Sequence, residues 1–227
     1  MWQKYRRPRR AEFRRENRIN DNFLGLMTVI QLAVGGFDRN LTYLATDGGE
    51  ALLIDPTGDP EIVNPALEKF ARTGLRYILV THGHGDHLGL LDEVHRKFPE
   101  AEICGHPGNR HIRRKLADNE TLPLGASQVE VLYTPGHSRD SVCYLADRKH
   151  LFTGDTLFMD YVGFARSPEG LYSSLKRLAK LPGDTIVYPG HDYGSVPYRT
   201  LAEEKRLNRF LNCPNQDDFK QQLKDMD

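Results

Sequence analysis

The stretch Thr81-His82-Gly83-His84-Gly85-Asp86-His87 decides how this chain is read. It follows Arg76–Thr81, whose Tyr77-Ile78-Leu79-Val80 run is apolar without a break, as in a strand buried on both faces. It precedes a helical pattern with Leu91, Val94 and Phe98 on one face. Three imidazoles and a carboxylate therefore sit in a strand-to-helix loop, where rigid scaffolds present functional side chains. So many polar groups this close together cannot all be satisfied inside a core. Histidine and carboxylate oxygen are ligands that suit zinc or iron, and the glycines between them let alternate side chains converge.

Three later segments repeat the arrangement. Tyr133-Thr134-Pro135-Gly136-His137-Ser138, Phe152-Thr153-Gly154-Asp155-Thr156 and Tyr188-Pro189-Gly190-His191-Asp192 each end an apolar strand at a glycine, followed at once by His or Asp. One such segment is a weak signal, but three of them joined to the first loop make a strong metal-binding constellation. Two divalent ions a few ångströms apart need a bridging carboxylate and several neutral imidazoles. A hydroxide held between them is a nucleophile at neutral pH, suited to esters, thioesters, lactones or amides.

Outward from these motifs, the order of elements mixes strands and helices. Strands are expected at Met27–Val34, the first of the domain, and at Leu41–Thr46, Ala51–Asp55, Ala101–Cys104, Val129–Tyr133, Ser141–Leu145, Leu151–Thr153 and Thr185–Tyr188. A helix is expected from Asn64-Pro65 to Gly74, another from Ser167-Pro168-Glu169, and a last one over Tyr198–Leu211 that packs Leu207, Phe210 and Leu211. His95, His111 and His150 are expected at the surface, and the Arg110, Arg113, Arg114, Lys115 run on a solvated helix face. His106, just past a strand, stays open as a functional candidate.

The 227 residues carry 31 basic and 31 acidic side chains, and this balance argues against a nucleic-acid binder. Eight of the basic residues, against two acidic, fall within residues 1–20. Residues 1–22 are therefore expected to be a basic, solvated arm, and 23–227 a single domain. Cys104, Cys143 and Cys213 are odd in number and widely spaced, as expected of free thiols in the cytoplasm. The run Phe23 to Val34 is too short to span a membrane. No nucleic-acid or membrane partner is expected, and oligomeric state is not legible.

With these motifs in place, the sequence resembles the metallo-β-lactamase superfamily and, within it, the glyoxalase II branch. The His-x-His-x-Asp-His motif stands as His82-Gly83-His84-Gly85-Asp86-His87, with the later ligands at His137, Asp155 and His191. The resemblance implies a four-layer αββα sandwich with the metal site at one edge between the sheets. It implies one metal on His82, His84 and His137, a second on Asp86, His87 and His191, and Asp155 bridging both. Asp86 and Asp155, the two carboxylates, are the candidate catalytic residues. The implied cofactor is two divalent ions, zinc or mixed zinc and iron, and the implied activity is hydrolysis of a small thioester or ester by a metal-bound hydroxide.

Two alternatives stay open. His82, His137 and Asp155 alone would make a 2-His-1-carboxylate triad for one Fe(II), as in the related persulfide dioxygenases. Asp192-Tyr193, Thr200, Glu203-Glu204 and Asn208 are similar to the tail of those dioxygenases, although Arg209 stands where that pattern has proline. A metal-binding domain without catalysis is the other. Glyoxalase II carries Cys-Gly-Lys or Cys-Gly-Arg after the bridging aspartate, whereas this chain has Val162-Gly163-Phe164. Phe164, nearby Arg166 and Tyr193 are the candidate substrate contacts. Only 36 residues follow His191, so the helical glutathione-binding domain of glyoxalase II is not expected.

Overall fold

The computed structural model describes residues 18–20, 27–35, 38–71 and 74–225. They form two mixed sheets. The first contains β1 (Arg18–Asn20), β2 (Thr28–Gly35), β3 (Asn40–Asp47), β4 (Glu50–Ile54), β5 (Leu75–Leu79), β6 (Glu102–Gly105) and β7 (Arg114–Lys115), in that order across the sheet. Strands β1 to β4 are an antiparallel meander, and β4 to β7 run parallel. Helices α1 (Pro60–Phe70) and α2 (Leu91–Lys97) make the first two parallel crossovers, and the loop 106–113 makes the third.

The second sheet is ordered β13-β12-β11-β10-β9-β8, from β8 (Thr121–Leu124), β9 (Ser127–Tyr133), β10 (Val142–Ala146), β11 (His150–Gly154), β12 (Ile186–Pro189) and β13 (Arg199–Thr200). Its one parallel pair, β11 with β12, is connected through α3 (Pro168–Leu178). Helices α4 (Leu201–Leu207) and α5 (Gln216–Lys224) close the chain.

Side-chain alternation explains the layering. Along β3, β4 and β5, Tyr43, Leu52 and Leu79 face the second sheet, meeting Val131, Tyr144, Phe152 and Tyr188. Their neighbours Leu44, Leu53 and Ile78 face outward onto Val63, Leu67, Leu91 and Val94 of α1 and α2. On the far side, Leu132, Cys143, Leu151 and Val187 pack with Leu171, Leu175 and Leu178 of α3 and Phe219 of α5. The result is the expected αββα sandwich. Among the described residues, no helix is long and apolar enough to cross a membrane.

Several expected boundaries move. Helix α1 begins at Pro60, with Asp59 as its cap accepting from the Glu61 N–H at 2.9 Å, and Pro65 lies inside it. Starting there places Val63 in the core, which a start at Pro65 would leave out. The last expected helix is shortened to α4, and a further helix lies beyond it. Thr200 and Glu203 form a capping box that starts α4, Asn208 ends it, and Asn215 caps the unforeseen α5 by accepting from Asp217 and Asp218. Leu207 is consequently 55% exposed, while Phe210 and Leu211 are buried as expected. The arginine run lies on no helix: its end, Arg114–Lys115, forms the short edge strand β7, with Arg114 paired to Glu102 and Glu120.

Of the basic arm, Arg18–Asn20 pairs with β2, so the first strand precedes the one expected. The rest of residues 1–22, and Phe23–Leu26, lie outside the described residues. His150 is the clear reversal among the histidines. It opens β11, is buried, and stands 3.2 Å from the Tyr188 hydroxyl.

Candidate metal centre

The strand ends bring the seven motif side chains together at one edge of the sandwich. The Thr81 carbonyl at the end of the first sheet accepts from Val142 N (2.9 Å), and Leu41 N donates to the Gly190 carbonyl (2.9 Å), so the two sheets are stitched where the loops emerge. His82, His84, His137 and Asp155 offer ligand atoms that all lie within 4.8 Å of one another, and Asp86, His87 and His191 form a second such group. Asp155 reaches across. Its Oδ1 is 3.3 Å from His87 Nε2, and its Oδ2 is 3.3 Å from His191 Nε2, 3.5 Å from His137 Nε2 and 3.9 Å from His82 Nε2.

The outer ring nitrogens show what the inner ones are for. His137 Nδ1–H donates to the Phe164 carbonyl (2.9 Å) and His191 Nδ1–H to the Asp38 carbonyl (2.7 Å). Because a carbonyl can only accept, a proton sits on Nδ1, and in the neutral ring each Nε2 presents a lone pair inward. His87 Nδ1 is held by Asp55 Oδ2 at 2.9 Å. Thr81 donates its hydroxyl proton to that same carboxylate (2.7 Å), so its oxygen accepts from His82 Nδ1–H at 3.0 Å.

In their neutral forms these rings turn lone pairs toward one another and toward His84. His87 Nε2 is 3.2 Å from His191 Nε2, and His84 Nδ1 is 2.9 Å from His82 Nε2 and 3.0 Å from His137 Nε2. Asp155 Oδ1 is buried without a well-aligned hydrogen bond. Acceptors packed this closely repel unless cations lie among them, and borderline nitrogen and oxygen donors fit a divalent metal.

Charge follows the same geometry. Burial holds His82 well below the usual imidazole range and lowers His137 as well. Burial opposes charge on His87 and His191 too, but the Asp155 carboxylate, joined by Asp55 at His87 and by the Asp38 carbonyl at His191, raises both. Burial likewise favours a neutral Asp155, yet His87 and His191 hold its carboxyl well below the usual range. Glycine is required beside it: a Cβ on Gly190 would stand 2.5 Å from Asp155 Oδ1 and 2.9 Å from His87 Cε1.

Sequence reasoning missed two supporting residues. Asp55 is buried at the end of β4 with φ +49° and serves His87 and Thr81 together. Buried Asn40 donates to both the Oδ2 and the carbonyl of Asp86, at 3.1 Å each. Asp55 ends an apolar strand as Asp155 nearly does, and that was its only signal.

The expected substrate contacts divide. Phe164 projects its ring into solvent at 66% exposure while its carbonyl orients His137. Arg166 is also exposed. The Tyr193 ring stacks on His191, centroids 4.9 Å apart and planes at 4°, with Phe158 against its edge. Burial, and then its bond to Asp38, push the Tyr193 hydroxyl pKa up. His106 stacks on Tyr133 and accepts from Gly108 N, so it is engaged by its own loop. The open side of the centre is where His84 is exposed and Asp86 half-buried.

Known proteins are similar to this chain in sequence and fold. A Schizosaccharomyces pombe protein named a probable hydroxyacylglutathione hydrolase is 36% identical over 198 residues, covering 81% of this chain and 77% of that one. The structure of ETHE1 from Myxococcus xanthus superposes with a TM-score of 0.76 at 31% identity, covering 87% of this chain and 90% of that one. TTHA1623, solved in a di-iron-bound form, superposes at 0.64 and 30% identity, covering 79% and 98%. The family model described as the Metallo-beta-lactamase superfamily matches residues 35–191, a span that runs through all seven converging side chains and stops at the last. This chain belongs to the metallo-β-lactamase superfamily.

Proposed function

We propose that the protein is a metal-dependent hydrolase of a small thioester or ester, in the manner of glyoxalase II. The observation that carries this reading is Asp155, whose two oxygens reach His87 and His191 on one side and His137 and His82 on the other. His82, His84 and His137 would hold one divalent ion, Asp86, His87 and His191 the other, with Asp155 shared. When bound, such a pair supplies a Lewis acid for the substrate carbonyl and a water acidic enough to ionise at neutral pH. Zinc, or zinc mixed with iron, suits the donor set.

The protein's own groups do the rest. Asp55, Thr81, Asp38 and the Phe164 carbonyl lock four imidazoles in the tautomer that turns a lone pair inward. Asn40 anchors Asp86 at the open side. Phe164 stands at the position where glyoxalase II carries Lys or Arg, and its exposed ring favours a less polar thiol carrier or acyl group than glutathione. Losing a charge-assisted contact to a carboxylate costs about 1.5–3 kcal/mol, roughly ten- to a hundredfold in binding. The free, buried Cys104, Cys143 and Cys213 support a reducing, cytoplasmic setting.

A second reading, persulfide oxidation at one Fe(II), rests on His82, His137 and Asp155, which by themselves form a buried 2-His-1-carboxylate set. One experiment separates the two. Metal analysis of protein purified without added metal is combined with kcat/KM for S-lactoylglutathione and for a simple thioester lacking the tripeptide, while an oxygen electrode follows glutathione persulfide. Two ions per chain and thioester cleavage support hydrolysis. One iron with rapid oxygen uptake supports the dioxygenase.

A further inference from the structure

We propose that Asp160, Arg199 and Glu204 are positioning residues that clamp together the two loops leaving Asp155 and His191, and through them hold His137 in its ligand tautomer. The role in metal affinity rests on the metal-centre reading above.

Glu204, on α4, is fully buried, and its Oε1 accepts from Asp160 N at 2.8 Å and from Asn208 Nδ2 at 2.7 Å. Its Oε2 lies 3.3 Å from Arg199 Nε. Arg199, itself buried on β13, places Nη2 2.9 Å from Asp160 Oδ1 and donates to Ser195 Oγ at 2.8 Å. Asp160 Oδ2 then accepts from Ser195 N (2.9 Å) and Ser195 Oγ (2.7 Å). Fully buried Asn208 adds a bond to the Tyr161 carbonyl at 3.0 Å. Asp160 and Tyr161 belong to the loop from Asp155 to Phe164, and Ser195 belongs to the loop that follows His191.

Buried ions are costly to desolvate, and such a cluster adds little net stability over apolar packing, so its value lies in geometry. Here the geometry leads to the metal centre. Four residues beyond Asp160, the Phe164 carbonyl accepts from His137 Nδ1–H, the bond that turns Nε2 inward. Between them Gly163 is pressed so close that a Cβ would stand 1.9 Å from the Asp155 carbonyl and 3.1 Å from His137 Nδ1. The facing loop is equally tight, since a Cβ on Gly194 would stand 2.3 Å from the Met159 Cβ. With so little slack, a shift at Asp160 is transmitted to Phe164, and His137 loses its acceptor. His191 keeps its own, because Asp38 lies outside the clamp.

The test uses the whole chain labelled with ¹⁵N-histidine, followed by NMR. The parent should show slowly exchanging Nδ1–H signals for both His137 and His191. Asp160→Gly removes the carboxylate and tolerates the left-handed backbone at φ +69°. It should lose the His137 signal and keep that of His191. Glu204→Ala should do the same, whereas Glu204→Gln, which keeps an Oε1 acceptor for Asp160 N, should retain both. Where Glu204→Ala fails to fold, Asp160→Gly decides. Metal titration of Asp160→Gly should show the His82, His84 and His137 half weakened at least tenfold and the other half unchanged. A His137 signal protected as in the parent, or lost together with that of His191, overturns the clamp. A parent that takes up no metal while the His137 signal responds as stated overturns the metal-centre reading and leaves the clamp standing.

Discussion

His87 Nδ1 lies 2.9 Å from Asp55 Oδ2, and that same oxygen accepts the Thr81 hydroxyl proton at 2.7 Å. One buried carboxylate therefore orients a candidate ligand in each half of the centre, His87 directly and His82 through Thr81. Asp55 Oδ1 also accepts from Thr81 N (2.8 Å), which anchors the loop at its first residue.

Asp55→Asn is nearly isosteric but offers an N–H to His87 and favours the wrong tautomer. Metal affinity should fall about ten- to a hundredfold, with the fold retained by circular dichroism. Competition against a chromophoric chelator measures it, and an unchanged affinity would reduce Asp55 to a packing role.

Asp155→Ala should be the most damaging single change at the centre. Among the described residues, it removes the one carboxylate within 3.9 Å of ring nitrogens in both halves. Elemental analysis should find both ions depleted, whereas His84→Ala should deplete mainly one. Full metal content and activity in Asp155→Ala would end the bridging assignment.

Phe164→Arg restores a cation at the exposed rim without touching the backbone carbonyl that serves His137. The preference for S-lactoylglutathione over a thioester lacking the tripeptide should rise about ten- to a hundredfold in kcat/KM. A parent enzyme that already prefers the glutathione thioester strongly would refute the specificity argument.

His150 should make stability depend on pH away from the centre. Burial, and then neighbouring Lys149, lower its pKa from 6.5 to about 4. Below pH 6.5 the unfolded chain takes up a proton that the folded chain refuses, so stability is complete above 6.5 and declines down to about 4. The loss should approach about 3 kcal/mol. Urea unfolding at pH 7 and pH 4.5 measures it, and His150→Gln should flatten the slope over that window.

The sequence by itself determined the seven motif side chains and, through the family resemblance they carry, the αββα layering. Local rules marked the strands and the loops, and alone they were compatible with any layered α/β sandwich. Apolar runs with period two or unbroken apolarity mark strands, and a glycine followed by His or Asp at four strand ends marks a loop built to present ligands. Local rules also placed α3, whose Ser167-Pro168 cap has no competitor. They misplaced α1, where Asp59-Pro60 and Asn64-Pro65 are equivalent signals and burial of Val63 chooses between them.

Only the tertiary structure decided the rest. Asp55 and Asn40 support the centre from strands distant in sequence, and nothing local distinguishes them from ordinary strand-end polar residues. His150 looks like a turn residue until β11 is paired between β10 and β12, which buries it. Only the fold stacks the Tyr193 ring on His191, a contact that no local pattern announces. The division has one physical cause. A residue's type and its neighbours dictate which element it joins, but hydrogen-bond partners and burial depend on what the fold brings from elsewhere in the chain.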